Sequence, residues 1–116
     1  WVGKGSDLGG GCSTMGTLSG GGDIIISVGE DCLIGANAGL GIPLGDRCTI
    51  EAGLFVTAGT KVSVLEDSGA TVETVSARTL AGRSDLLFRR HSSTGAVQCL
   101  TNKSAIELNE MLHANN

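Results

Sequence analysis

The sequence predicts an all-β fold: a left-handed parallel β-helix of hexapeptide repeats, with a short β-rich C-terminal extension and a C-terminal α-helix. Three observations carry this expectation. An aliphatic residue, usually followed by a small one, recurs every six positions in three runs: Val2 and Leu8; Val28, Ile34 and Leu40; Leu44, Ile50, Val56 and Val62. Glycine supplies 19 of the 116 residues, well above the usual share of about 7%. Aromatic residues make up only 3%, with no tyrosine and one proline. Collagen would need glycine at every third position and abundant proline, and a disordered linker would not be 41% hydrophobic, so both are excluded. A sandwich or doubly wound core takes its bulk from rings, and Trp1, Phe55 and Phe88 are all this chain has. The core must be narrow and filled by small aliphatics.

Each hexapeptide is expected to form one short strand and one corner, with three hexads, about 18 residues, completing a coil. The aliphatic points inward. Four positions later a second inward slot holds Ser6, Cys12, Cys32, Ala38, Cys48, Leu54 or Thr60, residues mostly small enough not to overfill a corner. Residues 1–62 are assigned to the coils, which amount to about three. A glycine-rich loop at 15–23 interrupts them. Its Gly20-Gly21-Gly22 serves either as a flexible connector or as a place where backbone amides approach a ligand. A second break, Leu40 to Leu44, shortens one hexad to four residues and reads as a corner adjustment.

Residues 63–116 read as an extension within the same folding unit. Val62–Leu65 and Thr71–Ser76 flank Glu66-Asp67-Ser68-Gly69 as a hairpin. Leu86–Arg90 and Ala96–Cys99 flank a Ser-Ser-Thr-Gly turn. Ser104-Ala105-Ile106-Glu107 fits a capping box, opening a helix that reaches about His113, with Ile106, Leu108, Met111 and Leu112 mostly on one side. That helix packs either on the side of the prism or on a neighbouring subunit.

Twelve acidic against eight basic residues give a net charge of −4, which argues against nucleic acid as a partner. No apolar stretch is long enough to span a membrane and no basic-then-apolar leader opens the chain, so a cytoplasmic location is expected. The chain begins in mid-pattern without an initiator Met, as a piece of a longer protein would. Cys12, Cys32, Cys48 and Cys99 form no C-x-x-C pair and are expected to be reduced structural thiols. His91 and His113 lie outside the coils and cannot supply a three-histidine cluster, so no metal site is expected. The glycine clusters fit neither the dinucleotide fingerprint nor the P-loop. Asp7, Glu30, Asp31 and Asp46 occupy turn-like slots and read as a solvated face.

Two places stand out chemically. Glu51 replaces glycine after Ile50 in the most regular run, either as a solvated carboxylate or as a group binding an amine or amide at a subunit seam. Arg89-Arg90 reads either as a charged edge that discourages strand addition or as a fork for a carboxylate or phosphate. Adjacent strand residues point to opposite faces, so at most one arginine is expected to serve a given pocket readily.

Cys12-Ser13-Thr14-Met15-Gly16-Thr17-Leu18-Ser19-Gly20-Gly21-Gly22, Leu33 to Ile42, Ile50 to Lys61, Leu86-Leu87-Phe88-Arg89-Arg90 and Ala105 to Glu110 together resemble the C-terminal part of the bacterial tetrahydrodipicolinate N-succinyltransferases, over nearly the whole chain. The resemblance implies a homotrimer of left-handed β-helices that moves the succinyl group of succinyl-CoA to the amino group of ring-opened tetrahydrodipicolinate, in lysine and diaminopimelate biosynthesis. It implies that Gly16 offers its backbone N–H to the oxyanion. Gly10, Ser13, Ala36, Glu51, Ala52 and Gly59 would line the succinyl-CoA groove, and Arg89, Arg90, His91 and Ser92 would bind the cosubstrate. The family's catalytic glutamate and one cosubstrate-binding arginine would lie before Trp1. Ser76 stands where related sequences can carry a lysine, and His91 where asparagine is common. Two further readings are another hexapeptide acyl-CoA transferase and a structural trimerisation module without activity of its own.

Overall fold

The computed structural model describes residues 2–14, 27–101 and 103–113. Its first part is a stack of very short parallel strands. One ladder runs through β1 (Asp7–Leu8), β3 (Leu33–Ile34) and β5 (Thr49–Ile50), and a second through β2 (Ser13–Thr14), β4 (Gly39–Gly41) and β6 (Phe55–Thr57). A third line is marked by the Val2–Val28 bridge and by Gly29 N–H donating to Leu44 O at 3.2 Å. The chain visits the three lines in turn. Leu33 pairs with Thr49 and Gly39 with Phe55, so this coil takes sixteen residues rather than eighteen. The short step from Leu40 to Leu44 absorbs the difference.

The expected inward positions are the core. Val28, Ile34, Leu40, Leu44, Ile50, Val56 and Val62 are buried, as are Cys32, Ala38, Cys48 and Leu54 in the second slot. Val2 and Leu8 are 44% and 42% exposed, because they stand on the end rung of the described stack and are covered from one side only. Corner geometry repeats with the strands. Gly5, Asp31, Arg47 and Asp85 each stand two residues before a strand of the first ladder and share a left-handed backbone, with φ of 78°, 56°, 55° and 63°. Left-handed backbone at three non-glycine residues recurs because the stacked corners impose one shape on every rung.

Polar atoms in the second slot link the rungs. The Ser6 hydroxyl donates to Gly29 O at 2.6 Å and accepts from Cys32 N–H at 3.0 Å. The Cys32 thiol repeats this, donating to Gly45 O at 3.1 Å and accepting from Cys48 N–H at 3.4 Å. Cys48 donates to Arg83 O at 3.2 Å. All four cysteines are free.

After β6 the chain leaves the stack. β7 (Lys61–Leu65) and β8 (Thr71–Ser76) form the expected antiparallel hairpin, with a register shift at Val64/Leu65, and a 3₁₀ turn follows at Ala77–Leu80. The chain then re-enters the first ladder. β9 (Leu87–Arg90) lies parallel on β5, pairing Thr49 with Leu87 and Ile50 with Phe88, and Phe88 is buried. β10 (Val97–Leu100) is antiparallel to β9 and parallel to β7, giving the sheet order β1-β3-β5-β9-β10-β7-β8. A fourth rung thus comes from a segment with no hexad pattern.

Helix α1 (Ala105–His113) starts where the capping box placed it. The Ser104 hydroxyl accepts from Glu107 N–H at 3.3 Å and meets the Glu107 carboxylate at 3.0 Å. Leu108 and Leu112 pack into the core and Met111 against it, so of the two expected positions the helix occupies the flank of its own chain. Arg83 Nη2 donates to Met111 O at 3.0 Å, and His113 meets Glu73 of β8 at 2.9 Å. Ile106 departs from expectation at 73% exposed. It lies two residues before Leu108, about 200° around a helix, on the side away from the core.

Candidate functional site

The last corner of the stack gathers most of the residues singled out in the sequence. Gly10, Ala36 and Ala52 occupy equivalent corners on successive rungs, tied by Asn37 N–H to Gly10 O at 2.9 Å and Gly53 N–H to Ala36 O at 2.8 Å. All three are exposed. They make a wall with almost no side-chain bulk, along which backbone is accessible. Glu51 stands beside the top of this wall, and its Oε2 accepts from Arg90 N–H at 3.4 Å.

Above it, Arg89, Arg90, His91 and Ser92 line a hollow of about 250 Å³. Both arginines border it, against the expectation that strand alternation would let only one serve. β9 ends at Arg90 and the chain turns at His91, so the hollow wraps the strand end and takes in stems leaving either face. Each arginine is held. Arg89 Nε donates to Gln98 Oε1 at 3.0 Å, and Arg90 Nη1 donates to Gly95 O at 2.9 Å. His91 Nδ1 accepts from the amides of Ser93 and Thr94 at 3.2 and 3.3 Å, which leaves the ring proton on Nε2.

Two cationic side chains, a histidine N–H donor and a serine hydroxyl on one open rim suit an anion with several acceptor oxygens. Carboxylate-bearing hollows lie elsewhere. One of about 440 Å³ is bordered by Arg47, Asp67, Asp85, Leu87, Leu100 and Thr101, and one of about 320 Å³ by Arg83, Ser84, Asp85 and Lys103. They are larger but hold none of the singled-out residues, and their Arg47 and Asp85 neutralise each other at 2.7 Å. That pairing holds Asp85 below the usual carboxylate range and Arg47 above the usual guanidinium range.

The remaining expected site residues are more scattered. Ser13 sits on β2 opposite Gly39, and Gly59 in the turn between β6 and β7. Gly16 and the whole 15–23 loop lie outside the described residues. Ser76 accepts from Lys61 Nζ at 3.3 Å. Sequence reasoning missed Gln98 and Gly95, which fix the arginines. Their signal was the Ser-Ser-Thr-Gly turn, whose hairpin register sets Gln98 opposite Arg89. Among the described residues no group of three or more His, Cys, Asp or Glu could hold a metal ion, and no helix is long and apolar enough to cross a membrane.

Comparison with known proteins places this architecture. The family described as the hexapeptide repeat of succinyl-transferase matches residues 25–58. The 2,3,4,5-tetrahydropyridine-2,6-dicarboxylate N-succinyltransferases of Pseudomonas aeruginosa and Pseudomonas putida are 73% and 72% identical over all 116 residues, and that of Vibrio cholerae is 67% identical over 115. A crystal structure from Campylobacter jejuni, designated a 2,3,4,5-tetrahydropyridine-2-carboxylate N-succinyltransferase, is similar with a TM-score of 0.76 and 40% identity, over 87% of this chain and 29% of that one. The chain spans about a third, 34%, of the length of the curated relatives it matches. Along its whole length, the chain is similar to about a third of the length of these tetrahydropyridine-dicarboxylate N-succinyltransferases.

Proposed function

We propose that this chain supplies the cosubstrate groove and oxyanion donor of an enzyme that transfers the succinyl group of succinyl-CoA to the amino group of ring-opened tetrahydrodipicolinate, a step of lysine and diaminopimelate biosynthesis. The observation that carries the reading is the cationic hollow of Arg89, Arg90, His91 and Ser92 set above the bare wall of Gly10, Ala36 and Ala52. Coenzyme A has matching parts. Its phosphates seek guanidinium forks, and its long amide-bearing arm seeks exposed backbone and small residues. Glu51, Ser13 and Gly59 complete the residues assigned to the groove.

A thioester brings an activated acyl group. The protein's part is to hold it beside the attacking amine, to receive the proton the amine loses, and to stabilise the charge growing on the acyl oxygen. We assign the last role to the Gly16 N–H, since a glycine lets backbone approach closely. The base is assigned to a glutamate before Trp1. In this reading the coils wind left-handed, three copies assemble with grooves between neighbouring prisms, and the enzyme works in the cytoplasm, where four free thiols persist. Nucleic acid and membrane are not among its partners.

Measurements on the intact protein test this. Calorimetric titration with coenzyme A should show binding that weakens about tenfold in Arg90→Ala, the scale of one charge-assisted contact. Unchanged affinity would remove the hollow from the reading. Gly16→Pro, which deletes the proposed donor, should lower kcat by about 10²–10³-fold, and full turnover in that variant would sink the role. Rates with succinyl-CoA against acetyl-CoA decide the acyl preference.

A further inference from the structure

Glu51 breaks the corner pattern, and the structure gives a reason for it. On the rungs below, the same position is Gly9 and Gly35. A Cβ on Gly35 would run into the backbone of Ala52 on the next rung, and one on Gly9 into Ala36. Glycine is forced there because each corner lies directly over another. Above Glu51 no corner follows, since β9 runs straight on to Arg90 and His91 N–H turns to Ala96 O at 2.8 Å within the hairpin. Here a side chain has room.

The same divergence strands a donor. Glu51 N–H still donates to Phe88 O at 3.0 Å, the last regular bond between these two rungs. A continuing parallel ladder would next send Arg90 N–H to the carbonyl of Glu51. That carbonyl already accepts from Leu54 N–H at 3.2 Å as the lower chain rounds its corner. The Glu51 carboxylate takes its place, with Oε2 3.4 Å from Arg90 N.

From this geometry we infer that Glu51 is a positioning residue: its carboxylate stands in for its own occupied carbonyl, ends the rung ladder at Arg90 and fixes the strand end that carries the Arg89–Ser92 hollow. Its value lies in acceptor oxygens rather than charge. A carboxylate beside a cationic hollow repels the anion the hollow is built for, so its presence there is explained by the bond to Arg90. The consequence for coenzyme A rests on the function proposed above, whereas the bond itself does not.

The test compares Glu51→Ala, which removes the acceptor, with Glu51→Gln, which keeps an acceptor oxygen and removes the charge, in the intact protein. Without ligand, amide hydrogen exchange at Arg90 should quicken at least about tenfold in the Ala variant and stay near wild type in Gln. Exchange that is unchanged in Ala, or equally fast in both, overturns the inference whatever coenzyme A does. With coenzyme A, affinity should fall about tenfold in Ala and clearly less in Gln, which keeps an acceptor for Arg90 N–H. Loss in Gln as deep as in Ala would mean that the charge itself meets the ligand, and would overturn the positioning role. Absence of coenzyme A binding even in the wild-type protein would defeat the proposed function, leaving exchange at Arg90 to decide the inference.

Discussion

Cys32 and Cys48 show how single side chains stitch this stack together. Each takes the place of a serine hydroxyl in the Ser6 slot and keeps its duties, donating to a carbonyl of the next rung and, for Cys32, accepting an amide from it. Burial pushes the Cys48 thiol up to about 11 and the Cys99 thiol up to about 12, since a thiolate there would lose its hydration. The unfolded chain would release these protons near about 8.5, so between that value and 11 it binds fewer protons than the folded one. Stability from Cys48 is therefore complete below about pH 8.5 and drains away as pH rises toward 11. Urea denaturation at about pH 8 and about pH 10.5 should show a lower midpoint at the higher pH, and Cys48→Ala should narrow the difference. An equal gap in the variant would assign it to other groups. Alkylation of the native protein at about pH 8 should spare Cys48 and Cys99.

At the scale of elements, what could be read from the sequence followed the range of the force involved. The hexads were legible because one residue in six must enter a narrow prism, and Val28, Ile34, Leu40, Ile50 and Val56 are all buried. The hairpins and the capping box were legible because turns and caps are local chemistry. Strand β9 was expected but not its place on β5, because Phe88 joins the ladder only after the chain has made a hairpin and a 3₁₀ turn. Nothing local records such a return. The candidate site was legible to a similar degree. Glu51 declared itself by breaking the glycine pattern, whereas Gln98 and Gly95 are ordinary residues until the hairpin register sets them against the arginines. Ile106 was misjudged for a related reason: in a nine-residue helix, half a turn of misplacement separates a core residue from an exposed one. Leu108→Ala should cost about 2–5 kcal/mol in urea unfolding, and Ile106→Ala no more than about 0.5 kcal/mol. Ser104→Ala, which removes the cap on Glu107 N–H, should cost about 1 kcal/mol. Comparable losses at Ile106 and Leu108 would contradict the helix orientation.

Across the whole molecule, the candidate site and the core share one rung. Phe88 fills the prism above Ile50, while the next residues along the same strand, Arg89 and Arg90, carry the hollow. Packing of this ring therefore helps hold in place the strand from which both arginines extend, while Gln98 and Gly95 hold their guanidinium groups. Phe88→Leu keeps an apolar side chain in the prism but leaves space where the ring stood, so β9 is held less firmly on β5. Ile34→Val removes one methyl group two rungs below and leaves β9 untouched. Both variants should lose stability, Ile34→Val by about 0.5–1.5 kcal/mol. Only Phe88→Leu should also lose affinity for coenzyme A, measured by calorimetry at a temperature where both are folded. If the two weaken binding in proportion to their stability losses, general softening of the stack explains the effect. Loss confined to Phe88→Leu would show that the rung carries the hollow, and would tie the oddest feature of this small-aliphatic core, the buried ring of Phe88, to the candidate site outside it.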